Sequence, residues 1–488
     1  MQQQATITQN RWFQPVAAAV VLLCVSLYAF TNVYLFLAVP FVFLYMVLIT
    51  INWKTAYWVL LFCIPASIQL EFFNGTLSTS VPDEPMMWLM LLLFGVLFAS
   101  NPAILPQWWW RHPLVMIVFL QYVWLIVAVI FAEQHLISVK FLMAKTWFLV
   151  SFFIFPVLVF REKKDFKTAF NVMLIPLLTT VVIIFYRHRQ LGFNFRKIEK
   201  AIHNIYYNHV DYSTVISMFF PLLCVAYPLT RGMQTWKRLV LLGIICFFLP
   251  AIYLTYARAA MIAVVFAAVI GIAIRLKLVN WVIPAFYSFV IGLILFLSTH
   301  NNYLNYRPNF ERTYMHANFA DHMVATIRGQ DMSSMERLYR WIAAVRMSKE
   351  RPWTGVGPNA FYMYYKPYAV TAFRTYVSRN TEHSTTHNYF LYMLVEQGWP
   401  ALILYIIFVF AVFFHAQRIY HRFPRGERFY KYCTLGVAMM FAAGFINNFF
   451  SELLETHKVG SLFYISVALL VVLDRKSREL QDTAAAVE

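Results

Sequence analysis

The chain has 488 residues, of which 61% are hydrophobic and only 13% charged, with a mean hydropathy of +0.60. A soluble globular chain is nearer half apolar and a quarter charged, so these proportions exclude a set of water-soluble domains and imply an integral membrane protein. The formal net charge is +18; because Lys and Arg favour the cytoplasmic side of a membrane, where those charges fall matters more than their sum.

The N-terminal MQQQATITQNRWF carries little basic charge, and the apolar run after it lacks a small-residue cleavage site. That pattern predicts a first membrane helix, not a cleaved signal peptide. Apolar runs lie at 15–31, 33–51, 55–71, 86–100, 113–132, 141–160, 167–186, 212–229, 239–256, 259–274, 279–298, 389–416, 432–449 and 459–473. Each is near the length that crosses a hydrocarbon core of ~30 Å, and their continuity favours helices over barrel strands. The expected fold is all-α and polytopic, with about 12–14 transmembrane helices and one large periplasmic loop containing short amphipathic helices. Residues 1–298 form an N-terminal bundle of about 11 spans, 299–388 the large loop, 389–474 about three further spans, and 475–488 a cytoplasmic tail.

Basic clusters at 161–167, 231–238, 275–277, 418–431 and 475–478 fall on one side when the spans alternate, whereas 71–85 contains no basic residue. The expectation is an inner-membrane, multi-pass protein with both termini cytoplasmic and the large loop periplasmic. Residues 187–200, RHRQLGFNFRKIEK, are basic yet fall on the outer side. They meet anionic headgroups or phosphates there, or form an interfacial helix anchored by snorkelling side chains.

The five cysteines, Cys24, Cys63, Cys224, Cys246 and Cys433, all lie in apolar runs, and no Cys/His pattern has zinc spacing. Neither a disulfide framework nor a metal site is expected. Carboxylates are scarce inside the spans; Glu71, Glu133, Glu452 and Glu455 lie near their outer ends. That scarcity weighs against a proton-driven transporter.

Four constellations remain as candidates for chemistry. Arg258 interrupts an apolar stretch on the outer side, where it either marks the turn of a helical hairpin as a snorkelling anchor or binds an anion, since its fork matches phosphate oxygens. In SSMERLYRWIAAVRMSK (333–349), Leu338, Trp341, Ile342 and Val345 recur at helical spacing. The predicted helix lies on the membrane by that stripe and presents Arg337 and Arg340 to headgroups, water or a substrate. The turn PWTGVGP (352–358) matches neither nucleotide fingerprint and is expected to be structural. In HSTTHNYFLYMLVE (383–396), His383 and His387 are four apart, without a nearby third ligand. His387, at the water–membrane boundary beside Asn388, suits general base catalysis, while His300 and His415 read as surface residues.

Taken together, Arg337-x-x-x-Trp341, Pro352-x-x-GVGP-x-x-Phe361, His387-Asn388-x-x-Leu391-x-x-Leu394-x-Glu396-x-Gly398 and the upstream Tyr256-Ala-Arg258-Ala-Ala260 resemble the signature of the bacterial O-antigen ligase and O-antigen polymerase superfamily. The resemblance covers roughly 65 residues at the loop plus Arg258, and departs from the family pattern at Ala257, commonly Ser, and in the length of loop before Arg337. It implies a metal-independent membrane glycosyltransferase without a cofactor, which moves a glycan from undecaprenyl pyrophosphate to a hydroxyl acceptor such as the lipid A core. Carried over, Arg258 and Arg337 would bind the pyrophosphate and His387 would deprotonate or orient the acceptor; Arg340, His383 and Asn388 are secondary candidates. The implied partners are the lipid-linked donor, the glycan or lipid acceptor and membrane lipids, with no nucleic acid. A polysaccharide polymerase would use the same site, and a transporter or flippase of lipid-linked glycans is the reading from another class. Tyr362, Tyr364, Tyr365, Tyr368 and Tyr376 either stack on sugars or pack the loop.

Overall fold

The computed structural model describes residues 35–72, 77–300, 332–369 and 385–485, with residue 302 and a few positions between 19 and 31. Among them, twelve helices are long and apolar enough to cross a membrane. These are α1 (Leu35–Cys63), α2 (Asp83–Ser100), α3 (Pro113–Ile130), α4 (His135–Leu149, prolonged to Val159), α5 (Lys163–Gln190), α6 (His209–Ala226), α7 (Thr235–Tyr253), α8 (Arg258–Leu276) and α9 (Val279–Ser298). After the large loop, which contributes the shorter α10 (Met332–Ser348), come α11 (Tyr389–Arg422), α12 (Arg428–Phe449) and α13 (His457–Ala485). The protein is an all-α polytopic membrane protein.

The structure departs from the sequence expectation in two places near the start. The runs at 33–51 and 55–71 join as α1, broken at Asn52, whose backbone is extended (φ −155, ψ 90). Asn52 Oδ1 accepts from the Thr55 amide at 3.2 Å, so the side chain caps a fresh helix start without ending the span. The segment 71–85 is not plain loop over its described residues. It belongs to an antiparallel hairpin, β1 (Ile68–Phe72) with β2 (Leu77–Val81), in which Ile68 faces Val81 and Phe72 faces Leu77.

The described chain divides into two compact units. The smaller comprises residues 1–104 and 164–180. In it, the β2 hydroxyls of Ser80 and Thr79 donate to Asp83 and Glu84 in the first turn of α2, at 2.6 and 2.5 Å. Carboxylates at a helix N-terminus complement the macrodipole, and these two also tie strand to helix.

The larger unit, residues 105–163 and 181–488, is built on α12 and α13, its most buried spans. Along α8, Ala260, Ala263, Ala267, Ile270 and Ile274 are buried, while Ile262, Val265, Val269 and Ile272 are exposed. Small residues inward and large apolar residues outward are what lipid-embedded packing selects, since burial of apolar surface drives nothing there. Helix α8 packs along α12 in antiparallel fashion: Gly271 faces Met439, and the Phe266 ring lies 5.9 Å from that of Phe445. Continued to the start of α8, this register brings Arg258 level with the residues just beyond the end of α12.

Candidate functional site

The PWTGVGP turn is built into the bundle by a fault in α11. At Gly398 the helix adopts φ 81, ψ −177, and the Trp399 amide donates to Pro352 O at 2.8 Å instead of to its own helix. Val356 N and Gly357 N donate to the carbonyls of Val395 and Glu396, each at 3.0 Å. The buried Glu396 carboxylate accepts from the amides of Asn359 (2.5 Å) and Phe361 (3.2 Å). The amides that an anion would need are thus spent within the protein, and an internal carboxylate fills the place of a phosphate, as expected for a structural turn. Glycine is required at both contacts: a Cβ on Gly398 would lie 2.0 Å from Trp353 O, and one on Gly355 2.4 Å from Val395 O.

Docked turn and helix create a floor for α10. Ala344 and Met347 pack with Val356, Ala360, Phe361, Tyr365 and Val395. The face that α10 buries in the protein is Tyr339, Arg340, Ala343, Ala344 and Met347; Val345, of the stripe expected to meet the membrane, is 45% exposed. The reason is that alanines allow close approach to α11, and Arg340 finds a carbonyl in place of water: its Nη1 donates to Thr385 O at 3.2 Å. Next to it, Trp341 Nε1 donates to Thr386 O at 3.0 Å. The loop tyrosines share in this packing: Tyr365 is buried, Tyr364 OH accepts from Gln134 and Tyr368 OH donates to Glu350.

Residues 385–388 are therefore clamped from one side by α10. From the other side they are held by Asn388, which caps α11 by accepting from Leu391 N (3.0 Å) and donates from Nδ2 to Phe449 O at the end of α12 (2.9 Å). Between the clamps His387 takes a left-handed backbone conformation, φ 52, which costs a non-glycine residue roughly 1–3 kcal/mol and persists only when its surroundings over-determine it. The backbone of residues 385–388 is not helical; His383 and Tyr376 lie outside the described residues.

The His387 ring is half-buried, with 31% of the side chain exposed and its Nδ1 3.6 Å from Glu452 Oε2. Burial lowers its pKa from the ordinary value to about 4; Glu452 opposes the shift, and Arg340 and Arg337 add to it. The ring is uncharged at neutral pH. The structure so gathers Arg337, Arg340, Asn388 and His387 in one place. It adds Glu452, in the sequence one of several carboxylates near the ends of apolar runs. Glu452 lies on the α12–α13 connection, sixty-five residues beyond His387, and no local motif marks it. Arg258, half-buried at the first position of α8, stands at the same end of the bundle. Just before it, Tyr256 OH donates to Phe193 O at 2.5 Å and packs edge-on against Phe195. The basic segment 187–200 is in this way bound to the stretch carrying Arg258, with Ile198 and its neighbours Ala201 and Ile202 buried and its Arg and Lys side chains exposed.

One further group of side chains lies within metal-ligand distance among the described residues: His112, His415 and Asp474. His415 is thus not the surface residue expected; its ring centre is 5.5 Å from that of His112. The Leu114 amide donates to His112 Nδ1 at 3.2 Å, which leaves the proton on Nε2, facing Asp474 at 3.5 Å. Arg422 and Arg478 also pair with Asp474, at 2.5 and 2.8 Å. A protonated ring nitrogen and two guanidiniums around one carboxylate make an ion-pair cluster, which disfavours a cation.

A bundle of apolar spans with a cationic and histidine-bearing cluster at one end defines a polytopic membrane protein whose cluster has the chemistry to meet a hydroxyl or a phosphate. Residues 242–406, from within α7 to within α11, match the family model described as O-antigen ligase. Over that stretch the chain is similar to the O-antigen ligase family, whose members are glycosyltransferase-type enzymes. The matched third of the chain contains every candidate residue except Glu452. No match was found among curated proteins.

Proposed function

We propose that the protein transfers a glycan from an undecaprenyl-pyrophosphate-linked donor to a hydroxyl acceptor, the lipid A core or a similar glycan, at the periplasmic face of the inner membrane. The observation that carries this reading is His387, uncharged and held in a strained conformation where α10, α11 and the α12–α13 connection converge. An acceptor hydroxyl is a poor nucleophile, and a base in position contributes typically ~10²–10⁴-fold. In the proposed step the hydroxyl loses its proton to His387 and its oxygen bonds to the anomeric carbon. The bond from that carbon to the pyrophosphate breaks, and the leaving group keeps the electron pair. Arg337 and Arg258 take up the developing negative charge, for which guanidiniums suffice. Arg340, buried and committed to Thr385 O, and Asn388, committed to the cap of α11, hold the site rather than touch substrate.

The test is transfer by purified protein in detergent, given lipid-linked donor and acceptor without any sealed vesicle. Product formed by the unaltered protein and lost in His387→Ala, Arg337→Ala and Arg258→Ala supports the transferase. A flippase or transporter would form none. A polymerase would lengthen the donor's own glycan, so the chain length of the product distinguishes it from a ligase.

A further inference from the structure

We propose that Glu452 is the positioning residue of His387: its carboxylate receives Nδ1–H and thereby leaves the Nε2 lone pair for the acceptor hydroxyl. This assignment rests on His387 acting as the base. Three observations carry it. Glu452 Oε2 is a buried oxygen with no hydrogen-bond partner among the described residues, and His387 Nδ1 lies 3.6 Å from it. A buried carboxylate oxygen is seldom left so, and the gap is about half an ångström beyond a hydrogen bond, of the kind that closes when substrate excludes water.

Second, both ends of the gap are fixed, and the neighbouring carboxylate is committed elsewhere. Asn388 ties the His387 segment to Phe449 O, and Asn448 Oδ1 accepts from Leu454 N at 2.9 Å on the far side of Glu452. Glu455, one turn on, is saturated: Lys145 Nζ donates to both its oxygens at 2.9 and 3.1 Å, and Tyr389 OH to Oε1 at 2.7 Å. Two neighbouring carboxylates thus have different tasks. Glu455 anchors the connection on α4 and α11, and Glu452 faces the histidine.

Third, the charges around the ring are asymmetric. Arg337 and Arg340 from α10 oppose a positive imidazole, whereas Glu452 from the α12–α13 connection favours it. When the ring takes the acceptor's proton it becomes cationic among cations, and Glu452 supplies the compensating charge at the nitrogen away from the substrate.

The test uses full-length protein in detergent with two readouts. Nitrogen NMR of histidine-labelled protein, with the His387 signal assigned by its loss in His387→Gln, reports the ring directly. The unaltered ring should carry its proton on Nδ1, and Glu452→Gln should lower its titration midpoint. A ring protonated on Nε2, or a midpoint unmoved by Glu452→Gln, overturns the assignment. For turnover, Glu452→Gln should lower kcat by ~10–100-fold, a part of what a positioned base supplies, with donor KM unchanged. Glu452→Asp should recover part of the loss, and Glu452→Gln should cost nothing more when added to His387→Ala. Losses that add in the double variant would show that Glu452 does not act through His387. If the unaltered protein makes no product, the transferase reading fails on its own, and the NMR readout still decides whether the pair exists.

Discussion

A histidine that accepts a proton from a sugar hydroxyl must be uncharged where the enzyme works, and His387 meets this by burial among arginines. Its pKa is depressed, so the neutral ring persists below the ordinary histidine range and is lost only as pH falls through about 4. Transfer should continue at about pH 5.5, where an unperturbed histidine is mostly protonated, and decline towards the lower value. A pH–rate profile falling with a midpoint near 6.5 would contradict this. The two α10 arginines should also separate. Arg340→Ala should lower the melting temperature in detergent along with activity, because a buried guanidinium that holds Thr385 O is removed. Arg337→Ala, half-buried, should abolish transfer while leaving the melting temperature within a degree or two of the unaltered protein, as expected of a residue outside the packed core.

At the scale of elements, the broken α11 and the PWTGVGP turn form one unit. Glu396→Gln weakens the acceptor for two amides, and leaving such donors poorly paired costs roughly 1–3 kcal/mol. The expected outcome is a lower unfolding temperature with a much smaller change in donor KM, since the turn's amides face protein and not substrate. Gly398→Ala should be more damaging, because its Cβ would strike the Trp353 carbonyl at a positive φ; loss of folded protein on size-exclusion chromatography checks it. The same unit explains why α10 buries its alanine face. The apolar stripe was legible in the sequence, but the sequence has no record of which face meets α11.

For the whole molecule, the placement of basic loops predicts a cytoplasmic and a periplasmic side. With native cysteines replaced, Lys349→Cys, exposed after α10, should react with a membrane-impermeant thiol reagent in spheroplasts; Arg425→Cys, exposed between α11 and α12, should react only after lysis. Labelling with the reverse pattern would place the site in the cytoplasm and remove the periplasmic donor.

The sequence by itself determined the polytopic helical class, since apolar runs of span length leave no soluble alternative. It also marked Arg258, Arg337 and His387, because a cation or imidazole among apolar residues stands out, and the motifs around them are local. The hairpin between α1 and α2 rests on the cross-strand pairing of Ile68–Phe72 with Leu77–Val81, which a search for apolar runs does not register. Tertiary structure alone decided what depends on distant pairing: that an internal carboxylate fills the glycine turn, that α10 presents its small residues, and that His415 meets His112 and Asp474. It decided too that Glu452, one of several carboxylates near span ends, faces His387 while Glu455 turns to Lys145. Composition and spacing act along the chain, whereas the partner of a buried charge is set by which helices meet.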